Sequence, residues 1–302
     1  MAMNESKAGV TPDTNRKRNL FKPWTWRRSF PVVPVLRFSG AIGVVTPLRP
    51  GLTLAATASA IERAFSTSRA KAVAVLINSP GGSPVQSMLI YKRIRALSEE
   101  KGLPVYVFME DVAASGGYLL ALAGDEIYAD PSSIVGSIGV ISASFGFDRL
   151  IKRYDIDRRV YTAGEKKMTL DSFSPEQEED VARLKVIQKD IHGTFIDLVK
   201  ERRGKKIEQA GDMLFTGEFW SGTKAVELGL VDGLADVRTK MRELYGEKVR
   251  LKLVTSSRNM FRRLRIPGMG WDEGGEPFLR ESLANDVISA IEARALWSRY
   301  GL

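Results

Sequence analysis

The chain reads as an α/β protein built on a parallel sheet, and three features of its 302 residues point that way. Short apolar runs alternate with amphipathic stretches from Pro31 to about residue 130, and such strand-helix-strand succession implies parallel strands joined by right-handed crossovers. Ala72-Val73-Ala74-Val75-Leu76-Ile77 is apolar without alternation, as expected of a strand covered on both faces. That run stops at a Pro-Gly-Gly turn, and in open α/β sheets the loops beyond the strand C-termini line the site.

Taken in order, Val32–Phe38 and Ala41–Val45 read as two short strands joined by a Ser39-Gly40 turn. Residues 54–68 repeat Ala, Leu, Ile and Phe at helical spacing. The strand over 72–77 ends at Asn78-Ser79-Pro80-Gly81-Gly82-Ser83-Pro84; a helix over about 85–100, a strand over Val105–Met109, a turn and a helix over about 115–123 follow. Ile127–Ala129 and 132–140 read as short strands and turns. A long helix spans about Pro175 to Arg203, with Ser174 as N-cap and Pro175 at its first position. Residues 255–276, rich in Arg, Gly and Pro, read as a linker, and 278–298 as a final amphipathic helix. No internal repeat is evident. The expected division is a basic, aromatic tail over 1–30, a globular body over 31–254, and the linker with its helix over 255–302.

Composition narrows the chemistry. At 44% apolar residues the chain can bury a sizeable core. The absence of cysteine excludes disulfides, thiolate metal sites and a cysteine nucleophile, and the single histidine, His192, excludes a multi-histidine metal cluster. No metal or organic cofactor is expected.

Net charge is +9, but residues 1–30 carry seven basic side chains against Glu5 and Asp13, so the body is only mildly basic. A nucleic-acid partner is therefore not expected. Asn19–Phe30 interleaves aromatics with cations, a mixture suited to a lipid headgroup boundary; a solvated tail is the other reading. No stretch approaches the ~18 apolar residues of a membrane-spanning helix, and no cleavable signal pattern follows the basic cluster. The expectation is a cytoplasmic body with peripheral contact at an anionic inner-membrane surface.

Two segments could carry chemistry. Gly81 and Gly82 allow positive φ and close backbone approach, which exposes N–H donors to a developing oxyanion. In Ala114-Ser115-Gly116-Gly117-Tyr118 a serine between small residues opens an apolar helix, leaving its hydroxyl uncrowded and its own N–H available as a further donor. A serine nucleophile needs a base. His192 lies within the long polar helix, away from any strand end. The alternative is Gly164-Glu165-Lys166-Lys167, although a lysine serves as base only where desolvation or neighbouring positive charge displaces its ordinary pKa of about 10.4.

Together these segments resemble the signal peptide peptidase A family, serine-lysine peptidases of the S49 type with a crotonase/Clp protease-like fold of repeated ββα units and parallel sheet. The matching parts are Ile77–Gly82, Ala114–Tyr118, Ala129-Asp130-Pro131 leading to Gly136-Ser137-Ile138-Gly139-Val140, Gly164–Lys167, and Trp220-Ser221-Gly222 with Ala225–Asp232, in the family's order across about 32–240. The resemblance implies Ser115 as nucleophile, Lys167 as general base, Gly81, Gly82 and Gly116 as oxyanion and substrate-binding positions, and Ser137 as a hydroxyl that orients the lysine. The lysine follows Gly164 by three, which favours Lys167 over Lys166. It also implies peptide substrates, extended and apolar, such as residual signal peptides or membrane-protein fragments. A homo-oligomeric ring, in which the lysine reaches a neighbouring subunit's serine, is implied as well.

Rival readings differ in what they require. A Ser-His-Asp peptidase of the Clp type would place histidine about 25 residues after the serine, where this chain has Val140. A crotonase-like acyl-thioester enzyme would need only the oxyanion donors. A catalytically silent membrane-associated scaffold would need only the tail.

Overall fold

The structure is a computed structural model, and it describes residues 30–44, 51–164, 166–255, 291 and 294–302. The aromatic tail, Val45, residues 256–276 of the expected linker and most of the expected 278–298 helix lie outside the described residues; 294–298 are helical.

Eight strands form one sheet: β1 (Val32–Ser39), β2 (Val73–Ser79), β3 (Val105–Ala114), β4 (Glu126–Ala129), β5 (Ile134–Gly136), β6 (Phe219–Ser221), β7 (Gly233–Leu234) and β8 (Arg250–Leu253). Their order is β6-β5-β3-β2-β1-β8, with β4 beside β3 and β7 beside β4. Every pairing is parallel except β5 with β6. The apolar run is covered on both faces as expected. Val73, Val75 and Ile77 face one core, whereas Ala74 faces a smaller one with Val33, Val35, Phe108, Tyr128 and Met241.

The larger core lies under helices α1 (Leu54–Phe65), α2 (Pro84–Lys101), α3 (Gly116–Ala121) and the C-terminal part of α5 (Glu178–Arg203), through residues such as Ile61, Ile90, Leu120 and Phe195. Local chemistry sets the helix ends. Thr53 accepts from the Ala56 N–H at the start of α1 at 3.2 Å. Ser83 caps α2, Pro84 occupies its first turn and Gly102 closes it at φ 61°. The remaining helices are α4 (Asp148–Arg153), α6 (Gly222–Glu227) and α7 (Val237–Tyr245); Met241 of α7 belongs to the smaller core.

Three local expectations are corrected. Residues 41–44 are not a strand, since only Ile42 bridges, to Leu52 and to Gly82. β3 runs on to Ala114 without a turn: Tyr106–Phe108 pairs with β4, whereas Val112–Ala114 pairs with β5. The register between β2 and β3 shifts after Ile77, and the Asn78 side chain bridges the irregularity, accepting from the Val112 N–H at 3.3 Å and donating to Asp111 at 2.6 Å. Finally, α5 begins at Glu178, and the Ser174 hydroxyl bonds Asp171 instead of capping it.

The C-terminal end of α5 is fixed by charge. Arg203, 4% exposed, holds Asp232 through two bonds of 2.9 and 3.1 Å and donates to the Gly229 carbonyl at 2.8 Å. Lys206 and the Ile127 N–H also donate to Asp232. Burial alone would raise the Asp232 pKa, but the hydrogen bonds from Arg203 and Lys206 outweigh it and hold the carboxyl below the usual range. This anchor sets where the preceding turns of α5 meet the site.

Candidate active site

Ser115 stands at the junction of β3 and α3 with φ 52° and ψ −122°. A non-glycine residue at positive φ is strained, and here the strain comes from turning directly out of a strand into a buried helix. Tyr118 holds that helix in place. Its side chain is fully buried, its hydroxyl donates to the Leu230 carbonyl at 2.8 Å, and burial raises its pKa. Among the described residues the Ser115 hydroxyl has no hydrogen-bond partner, and Ser115 lines a cavity.

The glycine turn packs against this junction. Gly81 and Gly82 have φ of 100° and 138°. A Cβ at Gly81 would lie 2.8 Å from the Ser115 Cβ and 2.9 Å from the Gly116 nitrogen, whereas one at Gly82 would overlap the Ile42 backbone. Close approach therefore requires glycine at both positions. The Gly81 N–H is taken by the Ser79 Oγ at 3.2 Å, and that hydroxyl in turn donates to the Gly40 carbonyl at 2.7 Å.

The Ser115 N–H, expected as an oxyanion donor, is taken by the Gly136 carbonyl at 2.8 Å as the β3–β5 pairing continues past Ala114. Among the described residues the N–H groups of Gly82 and Gly116 have no acceptor. They are the better candidate pair.

Ser137 follows that same carbonyl. It is 5% exposed, has φ 53°, and donates its N–H to the Glu218 carbonyl at 2.7 Å. Among the described residues its hydroxyl has no partner. A buried hydroxyl without a partner is costly unless something supplies one. Ser115 and Ser137 thus leave adjacent strand ends side by side.

Lys167 is elsewhere. It belongs to a lobe over residues 141–173 that is almost wholly exposed; α4, inside it, has no buried residue. Phe147 packs with Phe145 and Phe173, Arg158 lies over the Phe173 ring and pairs with Asp171, and the Phe147 N–H bonds the Ser172 carbonyl. Within one copy of the chain the Lys167 side chain is exposed and makes no hydrogen bond among the described residues. Lys166 is exposed too. Neither lines the cavity at Ser115.

That cavity, of about 440 Å³, was not foreseen from the sequence. Its walls are Val85, Met88 and Leu89 of α2, Leu119 of α3, and Ile191 and Phe195 of α5, with Gly139 and Val140 beside them. Its volume is typical of a ligand pocket. The α2 residues recur at helical spacing, which marks an apolar face but not what that face meets. His192 is likewise clarified. Its Nε2 lies 3.0 Å from the Ile138 carbonyl, tying α5 to the segment after Ser137. It makes no bond to Ser115.

A strained serine at a strand-helix junction, two N–H groups without an acceptor among the described residues and an apolar cavity are parts that a serine-hydrolase type of site requires. The model of peptidase family S49 matches residues 98–250, which include Ser115, Ser137 and Lys167. "Putative protease slr0021" of Synechocystis sp. is 32% identical over 224 residues, covering 71% of this chain and 79% of that protein. The chain belongs to peptidase family S49, a family of serine peptidases, and its parallel β/α core accords with the crotonase/Clp protease-like fold implied by the sequence motifs.

The Na(+)/H(+) antiporter NhaA of Brucella abortus is 56% identical over 273 residues, covering 89% of this chain and 37% of that protein. The chain therefore spans little more than a third of that relative's length. A mutant of the 1510-N membrane-bound stomatin-specific protease, solved with a substrate peptide, aligns over 76% of this chain and 94% of its own, at 16% identity and a TM-score of 0.47. Among the described residues no helix is long and apolar enough to cross a membrane.

Proposed function

We propose that the chain is a serine endopeptidase with a Ser115–Lys167 dyad completed between two copies in a homo-oligomeric ring. The neutral Lys167 amine takes the Ser115 proton as Oγ attacks the peptide carbonyl. The oxyanion is received by the Gly82 and Gly116 N–H groups. Collapse breaks the C–N bond, and the lysine ammonium returns its proton to the leaving amine. Water, activated by the same amine, then hydrolyses the acyl-serine ester. Ser137, whose buried hydroxyl lacks a partner among the described residues, is suited to accept from the ammonium and orient it.

The observation that carries the reading is the Ser115 junction itself: a cavity-lining serine whose hydroxyl, like two nearby N–H donors, has no partner among the described residues. Assembly is supported by the exposed lobe and by Val186, Ile187 and Ile191, which leave apolar surface on the open half of α5. The cavity lining supports extended peptides with a large apolar side chain, as residual signal peptides and membrane-protein fragments would supply, with strand ends available for backbone pairing. In this reading the region shared with the Brucella antiporter is a peptidase portion of a longer protein. The 1–30 tail is proposed to make peripheral contact with an anionic membrane from the cytoplasmic side.

Cleavage of an unstructured peptide by wild type and Ser115→Ala, with labelling by a fluorophosphonate probe mapped to its residue, tests the proposal. Loss of turnover by about 10⁴-fold and label on Ser115 are expected. Retained turnover in the variant, or label elsewhere, would move the nucleophile.

A further inference from the structure

We infer that the far end of the apolar cavity is a carboxylate subsite in which Lys92 is the cation. Preferred substrates then carry an acidic side chain two residues from the apolar one seated beside Ser115. The inference rests on the peptidase reading and names the class of peptide it acts upon.

Val85, Met88, Leu89 and Lys92 fall at i, i+3, i+4 and i+7 of α2, so they form one stripe, and all four line the same cavity as Ser115. From Val85 to Lys92 the helix rises about 10 Å. The cavity is larger than one side chain needs. In an extended peptide alternate side chains share a face about 6.8 Å apart, so a first apolar side chain near Ser115 places the next same-face side chain toward Lys92. A glutamate there has the reach to close the remaining few ångströms.

Charge points the same way. Among the described residues no carboxylate lines the cavity. The basic residues next along α2 are paired, Arg93 with Glu62 at 2.8 Å and Arg95 with Asp125 at 2.7 Å, whereas Lys92 has no ion pair among the described residues. An ammonium beside apolar walls, with no acid among the described residues to meet, favours a substrate carboxylate and disfavours a substrate cation. The competing role for Lys92 is to cover the apolar wall with its methylenes while the ammonium stays in bulk water, which would make cleavage indifferent to substrate charge.

The test is a fluorogenic peptide series on the full chain, with an apolar residue fixed beside the cleaved bond and Glu, Gln or Lys scanned through the neighbouring positions on both sides. At the position two residues from the apolar one, the Glu peptide should exceed the Gln peptide by about three- to fivefold in kcat/KM, with the Lys peptide slowest. The preference should shrink in about 0.5 M salt, and Lys92→Glu should reverse the order. Ser115-dependent cleavage with no charge preference, or a preference that Lys92→Glu and Lys92→Met leave unmoved, overturns the subsite alone. Absence of Ser115-dependent cleavage of every peptide overturns the peptidase reading itself, so the two failures are distinguishable.

Discussion

Gly82→Ala probes the candidate oxyanion site with a single methyl group. At φ 138° an alanine is strained by about 1–2 kcal/mol wherever it sits. At this position its Cβ would also come 2.8 Å from the Ile42 nitrogen and closer still to the Ile42 carbonyl oxygen. Carbon contacts need about 3.5 Å, so the turn must retreat by about 1 Å, and the Gly82 N–H retreats with it. A displacement of that size in a positioning group can cost about 10²-fold, and losing one oxyanion donor costs about 10²–10³ in kcat. The expected result is a kcat for peptide cleavage lower by at least 10²-fold, with KM little changed. Gly102→Ala is the control: Gly102 also has positive φ, at the end of α2, yet nothing lies within 4 Å of its would-be Cβ. That variant should lose about 1 kcal/mol in a denaturant melt and keep its activity. If Gly82→Ala retained kcat within a few-fold of wild type, the assignment of Gly82 as a donor would be wrong.

Other perturbations bear on separate parts of the account. Because the base must be neutral, kcat/KM should rise with pH; a profile flat from acid to alkaline would contradict a lysine base. Removing Arg203 leaves a mostly buried carboxylate with Lys206 as its one remaining cation among the described residues, beside the Ile127 N–H, so Arg203→Ala should cost about 3 kcal/mol, read from urea unfolding. The depressed Asp232 pKa contributes stability that is fully present above the ordinary aspartate value of about 3.9 and is lost as pH falls through the folded value. Asp232→Asn should therefore flatten the acid limb of the stability curve. Tyr118→Phe, which leaves the Leu230 carbonyl without its buried donor, should cost about 1–2 kcal/mol by the same assay.

The sequence made legible what local backbone chemistry determines. Gly81 and Gly82 sit where only glycine fits, and Ser115 opens a helix of small and apolar residues, so both turns could be read from residue type alone. What escaped reading depends on partners distant in the chain. β3 runs past Met109 because Val112–Ala114 pairs with β5, and that same pairing diverts the Ser115 N–H to Gly136, whereas the Gly116 N–H has no acceptor among the described residues. Ile42 resembles a strand residue, but only isolated bridges hold it. Pro175 looked like a helix opener, yet Ser174 spends its hydroxyl on Asp171 and α5 starts three residues later, at the acidic Glu178-Glu179-Asp180 turn. The cavity needs α2 and α5 to converge, although about a hundred residues separate them in sequence.

Catalysis in the proposed ring requires an amine from one copy to serve a hydroxyl in the next. Inactive Ser115→Ala and Lys167→Ala proteins, mixed under conditions that allow subunits to exchange, test this directly. Shared sites predict recovery of peptide cleavage in the mixture, approaching a quarter of wild type at equal proportions for random pairing. No recovery, with subunit exchange verified independently, would contradict it.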